Sequence, residues 1–201
     1  MRPLLRFVAA VMTVSGVLLI GDAAATLAWQ EPVSYVMSLF RQDGLEAALA
    51  EPPKRVREQK PLKGDAIGKI TMPTLDRSHL VVEGTDTGDL RKGPGHYSDT
   101  PLPGERGTVG IAGHRTTHGA PFRTIDKLRR GDRVIVDMAY GRFVYRVEKT
   151  RIVAPTEVSV KRRVGYDRLI LSACHPLYSA AQRIVVFARF SRREAPLVRR
   201  G

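Results

Sequence analysis

The residue in this sequence best suited to covalent chemistry is its only cysteine, Cys174. Cys174 ends an apolar run that begins at Arg168, and Pro176, two residues on, cannot continue a β-ladder. We therefore expect the thiol at the end of a strand, with Arg183 opening the next strand. If the two strands pair as a hairpin, the Arg183 guanidinium lies beside the thiol, where it favours the thiolate and can donate hydrogen bonds to an oxyanion.

Acyl transfer from a cysteine also needs a group that carries a proton to the leaving amine, and histidine is the usual one. The candidates are His79, His96, His114, His118 and His175. His114 is the best placed, because it follows Gly113 at the end of a predicted strand. His175 is a poorer partner, since neighbours on a strand point to opposite faces. A simpler interpretation stays open, in which Cys174 is a buried inert thiol and His114 a capped strand end.

Short segments rich in β-branched residues and separated by Gly and Pro turns predict an all-β barrel or sandwich that positions these residues. The strand candidates cover residues 67–72, 80–83, 107–113, 133–139, 142–153, 168–174 and 183–190. Tyr140-Gly141 predicts a hairpin turn. Two short helices are expected, at Thr87–Leu90 and Pro121–Arg129.

The N-terminal residues predict export. Arg2 and Arg6 precede the apolar stretch 7–29, which at about 1.5 Å per residue can cross a hydrocarbon core of about 30 Å. The arginines favour a cytoplasmic N-terminus, and Trp29 suits the far interface. A cleaved signal peptide is the alternative, because three alanines follow Asp22, whose carboxyl is costly deep in lipid. Either alternative places the rest of the chain outside the cytoplasm.

Composition limits the partners. The 201 residues carry a formal net charge of +13, which favours an anionic partner such as anionic lipid or a polyanionic envelope. Nucleic acid receives little support, because zinc spacing, RNA-binding aromatic motifs and a basic heptad helix are all missing from the sequence. A single cysteine also excludes a disulfide within the chain.

Several sequence blocks resemble the sortases, the membrane-anchored cysteine transpeptidases of Gram-positive bacteria. The blocks are Val82-Glu83-Gly84-Thr85, Gly93-Pro94-Gly95-His96-Tyr97, Leu102-Pro103-Gly104-Glu105, Gly110-Ile111-Ala112-Gly113-His114-Arg115, Cys174-His175-Pro176 and Gln182-Arg183. The run Gly-His-Arg-Thr-Thr-x-Gly-x-Pro-Phe and the run Cys-His-Pro are most similar to class E sortases of actinobacteria.

The resemblance implies an eight-stranded sortase-type β-barrel with short helices behind an N-terminal transmembrane helix. It implies that Cys174 attacks the Thr–Gly peptide bond of an LPxTG- or LAxTG-type sorting motif and forms a thioacyl-enzyme. His114 would act as general acid and base, and Arg183 would stabilise the oxyanion. The partners would be secreted proteins with a C-terminal sorting signal and the amine of a lipid II-like peptidoglycan precursor. Neither a cofactor nor a metal is implied.

The resulting division of the chain has five parts: a cytoplasmic N-terminus (1–6), a single-pass transmembrane signal anchor (7–29), a juxtamembrane helix and linker (30–65), an extracytoplasmic catalytic barrel (66–191) and a basic tail (192–201). The helix is predicted from apolar residues at helical spacing between Val33 and Phe40, and the linker from the Pro-rich, charged residues that follow.

The sequence departs from the family pattern at two substrate-binding candidates. Ala173 precedes the nucleophile, where the family's TLxTC motif has Thr, and His118 occupies a position where class E members often carry Tyr. The resemblance places Thr116 with these two residues at the substrate. Both LPxTG and LAxTG therefore stay open as the preferred motif.

Three other functions are alternatives. An L,D-transpeptidase would need a Ser-His-Gly-Cys-like block, and a papain-like hydrolase would need its Cys before its His. The order here is His114, Cys174, Arg183. A non-catalytic surface-binding barrel predicts that Cys174→Ala leaves function intact.

Overall fold

The computed structural model describes residues 2–28, 32–52 and 54–195. Trp29, Pro53 and the end of the predicted basic tail, 196–201, lie outside the described residues. The helices are α1 (Arg2–Ala28), α2 (Pro32–Ala50), α3 (Lys54–Arg57) and α4 (Thr87–Leu90). Within α1, the span Arg2–Ala25 contains an 18-residue window with a mean hydropathy of 2.1 and is long and apolar enough to cross a membrane.

Eight strands form a closed barrel, which confirms the predicted fold. They are β1 (Ala66–Met72), β2 (Arg77–Glu83), β3 (Gly95–His96), β4 (Thr108–Ala112), β5 (Arg133–Met138), β6 (Gly141–Val153), β7 (Arg168–His175) and β8 (Gln182–Glu194). Their order around the barrel is β1-β2-β3-β4-β7-β8-β6-β5. The pairs β2–β3 and β4–β7 are parallel, and the other neighbours are antiparallel.

Alternation along each strand separates an apolar interior from the outer face, as the two-residue period of a strand requires. On β7, Leu169, Leu171 and Ala173 belong to the interior core. Ile170 lies on the opposite side, in a smaller apolar cluster beneath Val160 of the β6–β7 loop. Cys174 shares that outer face, so the thiol opens away from the barrel core.

Helix α2 packs on the outside of β1 and β2. Leu45 is 8% exposed and lies in a small apolar cluster with Ala66, Leu80 and Val82. The Gln42 side chain forms two hydrogen bonds to the backbone of the barrel domain. Its Oε1 accepts from the Leu80 N–H at 2.8 Å, and its Nε2 donates to the Lys92 carbonyl at 2.7 Å. These contacts attach α2 to the barrel.

The segment expected to be a linker is also packed. Val56 on α3 is 1% exposed and belongs to the barrel core. Arg55 makes two hydrogen bonds to the Asp65 carboxylate, at 2.8 and 2.7 Å. The segment between α2 and β1 therefore lies against the barrel over part of its length.

Two local expectations differ from the structure. The predicted helix Pro121–Arg129 is only a 3-10 turn at Ile125–Lys127, flanked by tight turns. Its buried residues Phe122, Ile125 and Leu128 recur every three positions, which fits a 3-10 turn better than an α-helix. In addition, β8 continues to Glu194, so the first basic residues assigned to the tail, Arg192 and Arg193, belong to a strand.

Candidate active site

The topology brings three predicted catalytic residues to one edge of the barrel. Cys174 and Arg183 are direct partners across the antiparallel β7–β8 pair, which confirms the predicted hairpin. Strands β4 and β7 run parallel, with Ala112 opposite Ser172, so their carboxyl ends meet at this edge. His114 follows the end of β4, close to the end of β7 that carries Cys174.

These three side chains line one cavity of about 220 Å³ on the outer face of the barrel. The other lining residues are Thr85, Leu90, Tyr97, Ala112, Gly113, Ser172 and Ala173. Cys174 is partly exposed, as a nucleophile must be to reach a substrate. A thiol, an imidazole and a guanidinium in one cavity are the groups that acyl transfer through a thioester needs.

Gly113 determines how closely the His114 backbone approaches the core. Its N–H donates to the Ser172 carbonyl at 3.0 Å, one step beyond the β4 ladder. A Cβ on Gly113 would lie 2.7 Å from Cδ2 of the buried Phe122 ring, closer than such atoms can approach. Glycine is therefore required here, and it holds the next residue, His114, at the mouth of the cavity.

The surroundings of His114 favour its neutral form. Burial lowers the pKa of the imidazole below its ordinary value, and the neighbouring His118 and Arg91 charges lower it further. The His118 ring lies 4.9 Å from the His114 ring, and His114 Nε2 is buried without a hydrogen-bond partner among the described residues. Packing against His118 therefore positions the imidazole, and its Nε2 is left without a hydrogen bond to the described residues.

Arg183 is held through one of its nitrogens. Nη1 donates to the carbonyls of Ala180 and Gln182, both at 2.9 Å. These are its only hydrogen bonds to the described residues, so Nε and Nη2 have no partner there. A fixed guanidinium with unused donors beside a thiol is suited to an oxyanion.

One contact that was not predicted joins Arg115 and His175, the residues that directly follow His114 and Cys174 in the sequence. Arg115 is 4% exposed, and its Nη1 donates to Nδ1 of His175 at 3.3 Å. The same guanidinium pairs with Asp126 at 2.9 Å and donates to the Arg123 carbonyl. Arg115 therefore connects the loop after His114 to the end of β7. No sequence signal indicates this contact, because the partners are separated by 60 residues.

The structure separates the three predicted substrate-binding residues. Ala173 lines the cavity, although its side chain points towards the core and is 4% exposed. Thr116 and His118 lie in the loop after β4 and do not line the cavity. His118 has a φ of +52° and donates its N–H to Ser34 Oγ of α2 at 3.1 Å. Helix α2 thus contacts the loop whose histidine packs on His114.

Two further residues extend the site. The Tyr97 hydroxyl lies 2.9 Å from Ser172 Oγ, and both side chains, with Arg183, also line a second cavity of about 140 Å³. That cavity lies under the β6–β7 loop, against Val160 and Lys161. The two cavities adjoin, because Tyr97, Ser172 and Arg183 line both of them, and we call the two together the groove. Nothing in the sequence alone indicates that Tyr97 lies in this site.

No cluster of three or more His, Cys, Asp or Glu side chains suited to a metal occurs within residues 2–28, 32–52 and 54–195.

Comparisons with known proteins relate this arrangement to one family. The family model described as "Sortase domain" matches residues 70–191. Sortase D of Bacillus subtilis is 35% identical over 134 residues, 65% of this chain and 66% of that protein. Sortase SrtE1 of Streptomyces coelicolor is 32% identical over 142 residues, 63% of this chain and 40% of that protein. The chain thus spans between two fifths and two thirds of the length of these relatives.

Solved structures of sortases are also similar to this chain. Sortase E from Streptomyces avermitilis is similar with a TM-score of 0.62 and 32% identity, covering 67% of this chain and 93% of that one. Sortase E1 from Streptomyces coelicolor with a tripeptide in the active site has a TM-score of 0.62 and 29% identity, covering 66% and 91%.

Proposed function

Because the chain belongs to the sortase family, we propose that it is a membrane-anchored cysteine transpeptidase acting on secreted proteins with a C-terminal sorting motif. The observation that carries the proposal is the meeting of Cys174, His114 and Arg183 in one cavity on the outer face of the barrel. A surface-binding barrel has no need of these three groups together.

In the first half-reaction, the Cys174 thiolate attacks the carbonyl carbon between Thr and Gly of the motif. The carbonyl oxygen becomes an oxyanion, which accepts hydrogen bonds from the unused Arg183 donors. Protonated His114 gives its proton to the Gly nitrogen as the C–N bond breaks. The leaving fragment departs as an amine, and the remaining acyl group is joined to Cys174 as a thioester.

In the second half-reaction, an amine of a lipid II-like peptidoglycan precursor attacks the thioester. Neutral His114 takes the proton from the attacking nitrogen, and the Cys174 thiolate leaves. The lowered pKa of His114 suits this step, because the histidine returns readily to the neutral form that acts as a base. One amide bond is broken and one is formed, so the overall exchange consumes no cofactor.

The groove past Tyr97 and Ser172 is our candidate for the residues of the motif before Thr. It passes under Val160 and Lys161 of the β6–β7 loop. Class E is supported by the similarity to SrtE1, at 32% identity, but Sortase D has the higher identity, at 35%. The motif is therefore LPxTG or LAxTG, with His118 and Thr116 acting from the loop after β4.

We infer a single-pass anchor from α1. Its span Arg2–Ala25 carries Arg2 and Arg6 at one end, and basic residues are retained on the cytoplasmic side. The barrel then lies outside the cytoplasm, where exported clients and wall precursors meet it.

The test uses the full chain in detergent with quenched fluorescent LPxTG and LAxTG peptides, with and without an added primary amine. We expect cleavage between Thr and Gly and a ligated product when the amine is present. Cys174→Ala should abolish both. Cleavage that never yields a ligated product, whatever the amine, would make the protein a hydrolase instead, and absence of cleavage of every peptide would contradict the proposal.

A further inference from the structure

The barrel carries a row of arginines that acyl transfer does not use. Arg133 on β5 is the direct partner of Arg146 on β6, and Arg146 is the direct partner of Arg189 on β8. All three are exposed and point outward, because the residues beside them face the core. On β7 the register continues with Arg168, which pairs with Arg189. We call Arg133, Arg146 and Arg189 the arginine row.

Like charges opposite one another on neighbouring strands are destabilising. The charges of the row are hardly compensated within the protein. Glu148 bonds to Arg189 at 2.7 Å, and it is the only acidic residue paired with the row in the described part of the chain. Arg168 adds charge beneath the row and is satisfied internally, by Thr108 and by two loop carbonyls. An external anion would relieve the repulsion.

Two of the three arginines of the row are held in position for such an anion. Arg146 Nη1 donates to the Gly131 carbonyl at 2.9 Å, and the Arg189 guanidinium lies 3.7 Å from the centre of the Tyr166 ring. Arg133 has no side-chain partner among the described residues. All three are arginines, whose planar fork binds phosphate through two parallel hydrogen bonds, as lysine cannot.

The row is linear and remote from the thiol. With strands about 4.8 Å apart, its three Cα atoms span about 10 Å across the sheet. Arg168 lies six residues before Cys174 on β7, which places the row about 20 Å from the thiol at about 3.3 Å per residue. A bilayer contact normally adds apolar side chains that enter the interface. The exposed large apolar residues of the barrel, namely Leu62, Ile152, Val158, Leu177 and Tyr178 among the described residues, lie outside the row.

We propose that the arginine row is a binding site for a linear phosphate-bearing polyanion, a phosphodiester polymer of the envelope. Successive phosphates of such a chain meet successive guanidinium groups across β5, β6 and β8. The site retains the enzyme at the polymer while the cavity at the other end of β7 stays open. It is independent of the acyl-transfer chemistry, and it accounts for part of the net charge of +13.

The test measures binding of fluorescent poly(glycerol phosphate) to the full chain in neutral-lipid nanodiscs. The row variant carries Arg133→Gln, Arg146→Gln and Arg189→Gln together. We expect it to bind about tenfold more weakly, at about the strength of three exposed ion pairs. The magnitude of the slope of log affinity against log salt concentration should also fall by about two to three. Binding releases about one counterion for each phosphate contact, and the variant makes three contacts fewer.

The control variant removes the same charge elsewhere, by Arg57→Gln, Lys60→Gln and Lys127→Gln, and should bind as the wild type does. Peptide cleavage by the row variant should be unchanged, which separates this site from the proposed activity and shows that the barrel is folded. Arg133→Gln alone, which breaks no contact with the described residues, should weaken binding about two- to fivefold.

Three results would overturn the proposal. One is a row variant that binds the probe as tightly as the wild type. Another is an equal loss in the control variant, which would reduce the effect to net charge. The third is a wild type that does not bind the probe, whatever its affinity for nanodiscs of anionic lipid.

Discussion

At the scale of single residues, the proposed activity depends on Cys174, His114 and Arg183. Residue types and positions at predicted strand ends make these three candidates, and the resemblance to the sortases implies their catalytic roles. The sequence predicts that Cys174 and Arg183 are neighbours if the two strands pair as a hairpin, and the structure confirms that pairing. By contrast, the link from Arg115 to His175 depends on the register of the parallel β4–β7 pair, which no local pattern encodes.

Arg183→Ala should lower kcat/KM for a sorting-motif peptide by about 10²- to 10³-fold, the usual cost of one oxyanion donor. Most of the loss should fall on kcat, because the charge that Arg183 stabilises forms only in the transition state. Steady-state kinetics measure this. Arg57→Ala, an exposed arginine on α3, serves as the matched control and should change neither constant. A loss confined to KM would show that Arg183 binds the substrate and the transition state equally, which would contradict the oxyanion role.

His118→Asn should raise the pKa of His114. Burial is the main cause of the lowered value and stays in place, but the repulsion from His118 is removed. Asparagine also tolerates the positive φ of this position better than most residues other than glycine do. The limb of the pH profile of kcat/KM that reports His114 should therefore move to higher pH. An unmoved limb would show that His118 has no electrostatic effect on His114.

At the scale of elements, most strands were predictable to within a few residues because their segments are rich in β-branched residues and are bounded by Gly and Pro turns. Strand β3 was missed, since Gly95–His96 is too short to show a period. The prediction of a helix over 121–129 was wrong. Its apolar residues recur every three positions, which is hard to distinguish over one or two turns from the three- and four-residue spacing of an α-helix. The packing of α2 on β1 and β2 could not be predicted either, as a short apolar stripe does not reveal which surface covers it.

Helix α2 should stabilise the barrel and its active-site loop. A fragment that starts at Lys54 loses the burial of Leu45 and the Gln42 hydrogen bonds, so it should be about 2–4 kcal/mol less stable than one that starts at Val33. Urea unfolding of the two fragments measures the difference. The shorter fragment should also show a lower kcat, because His118 loses its contact with Ser34. Equal stability and kcat would make α2 a passive spacer.

At the scale of the whole molecule, the barrel should lose stability in mild acid. The pKa of His79 on β2 is lowered to about 4, chiefly by burial and further by Arg77 and Lys69. Between pH 6.5 and 4 the unfolded chain takes up a proton at this residue and the folded chain does not. The free energy of unfolding should therefore fall by about 1.4 kcal/mol per pH unit through that window and level off below it.

His79→Gln should remove this part of the acid dependence. Urea unfolding at several pH values compares the two proteins, and the variant should show a shallower slope between pH 6.5 and 4. Lowering of the pKa of His114 acts in the same direction, so some slope should remain. Parallel curves for variant and wild type would contradict the assignment to His79.

The whole chain combines a candidate anchor, a helix that attaches to the barrel, a catalytic edge and a basic row at the other end of β7. A sequence could indicate the anchor and the catalytic edge, because each depends on a local pattern. The row could not be found in this way, since its arginines lie on three strands and adjoin only after the barrel has closed. The net charge of +13 signalled an anionic partner without showing where it binds.

The central claim is that Cys174 carries the acyl group, and intact-protein mass spectrometry tests it most directly. The full chain is mixed with LPxTG- and LAxTG-type peptides, quenched with acid and weighed. We predict a mass increase equal to the acyl fragment ending in Thr, located on Cys174, removed by hydroxylamine and absent from Cys174→Ala. Cleavage of the peptides by Cys174→Ala, or by a wild type that never carries this adduct, would contradict the account.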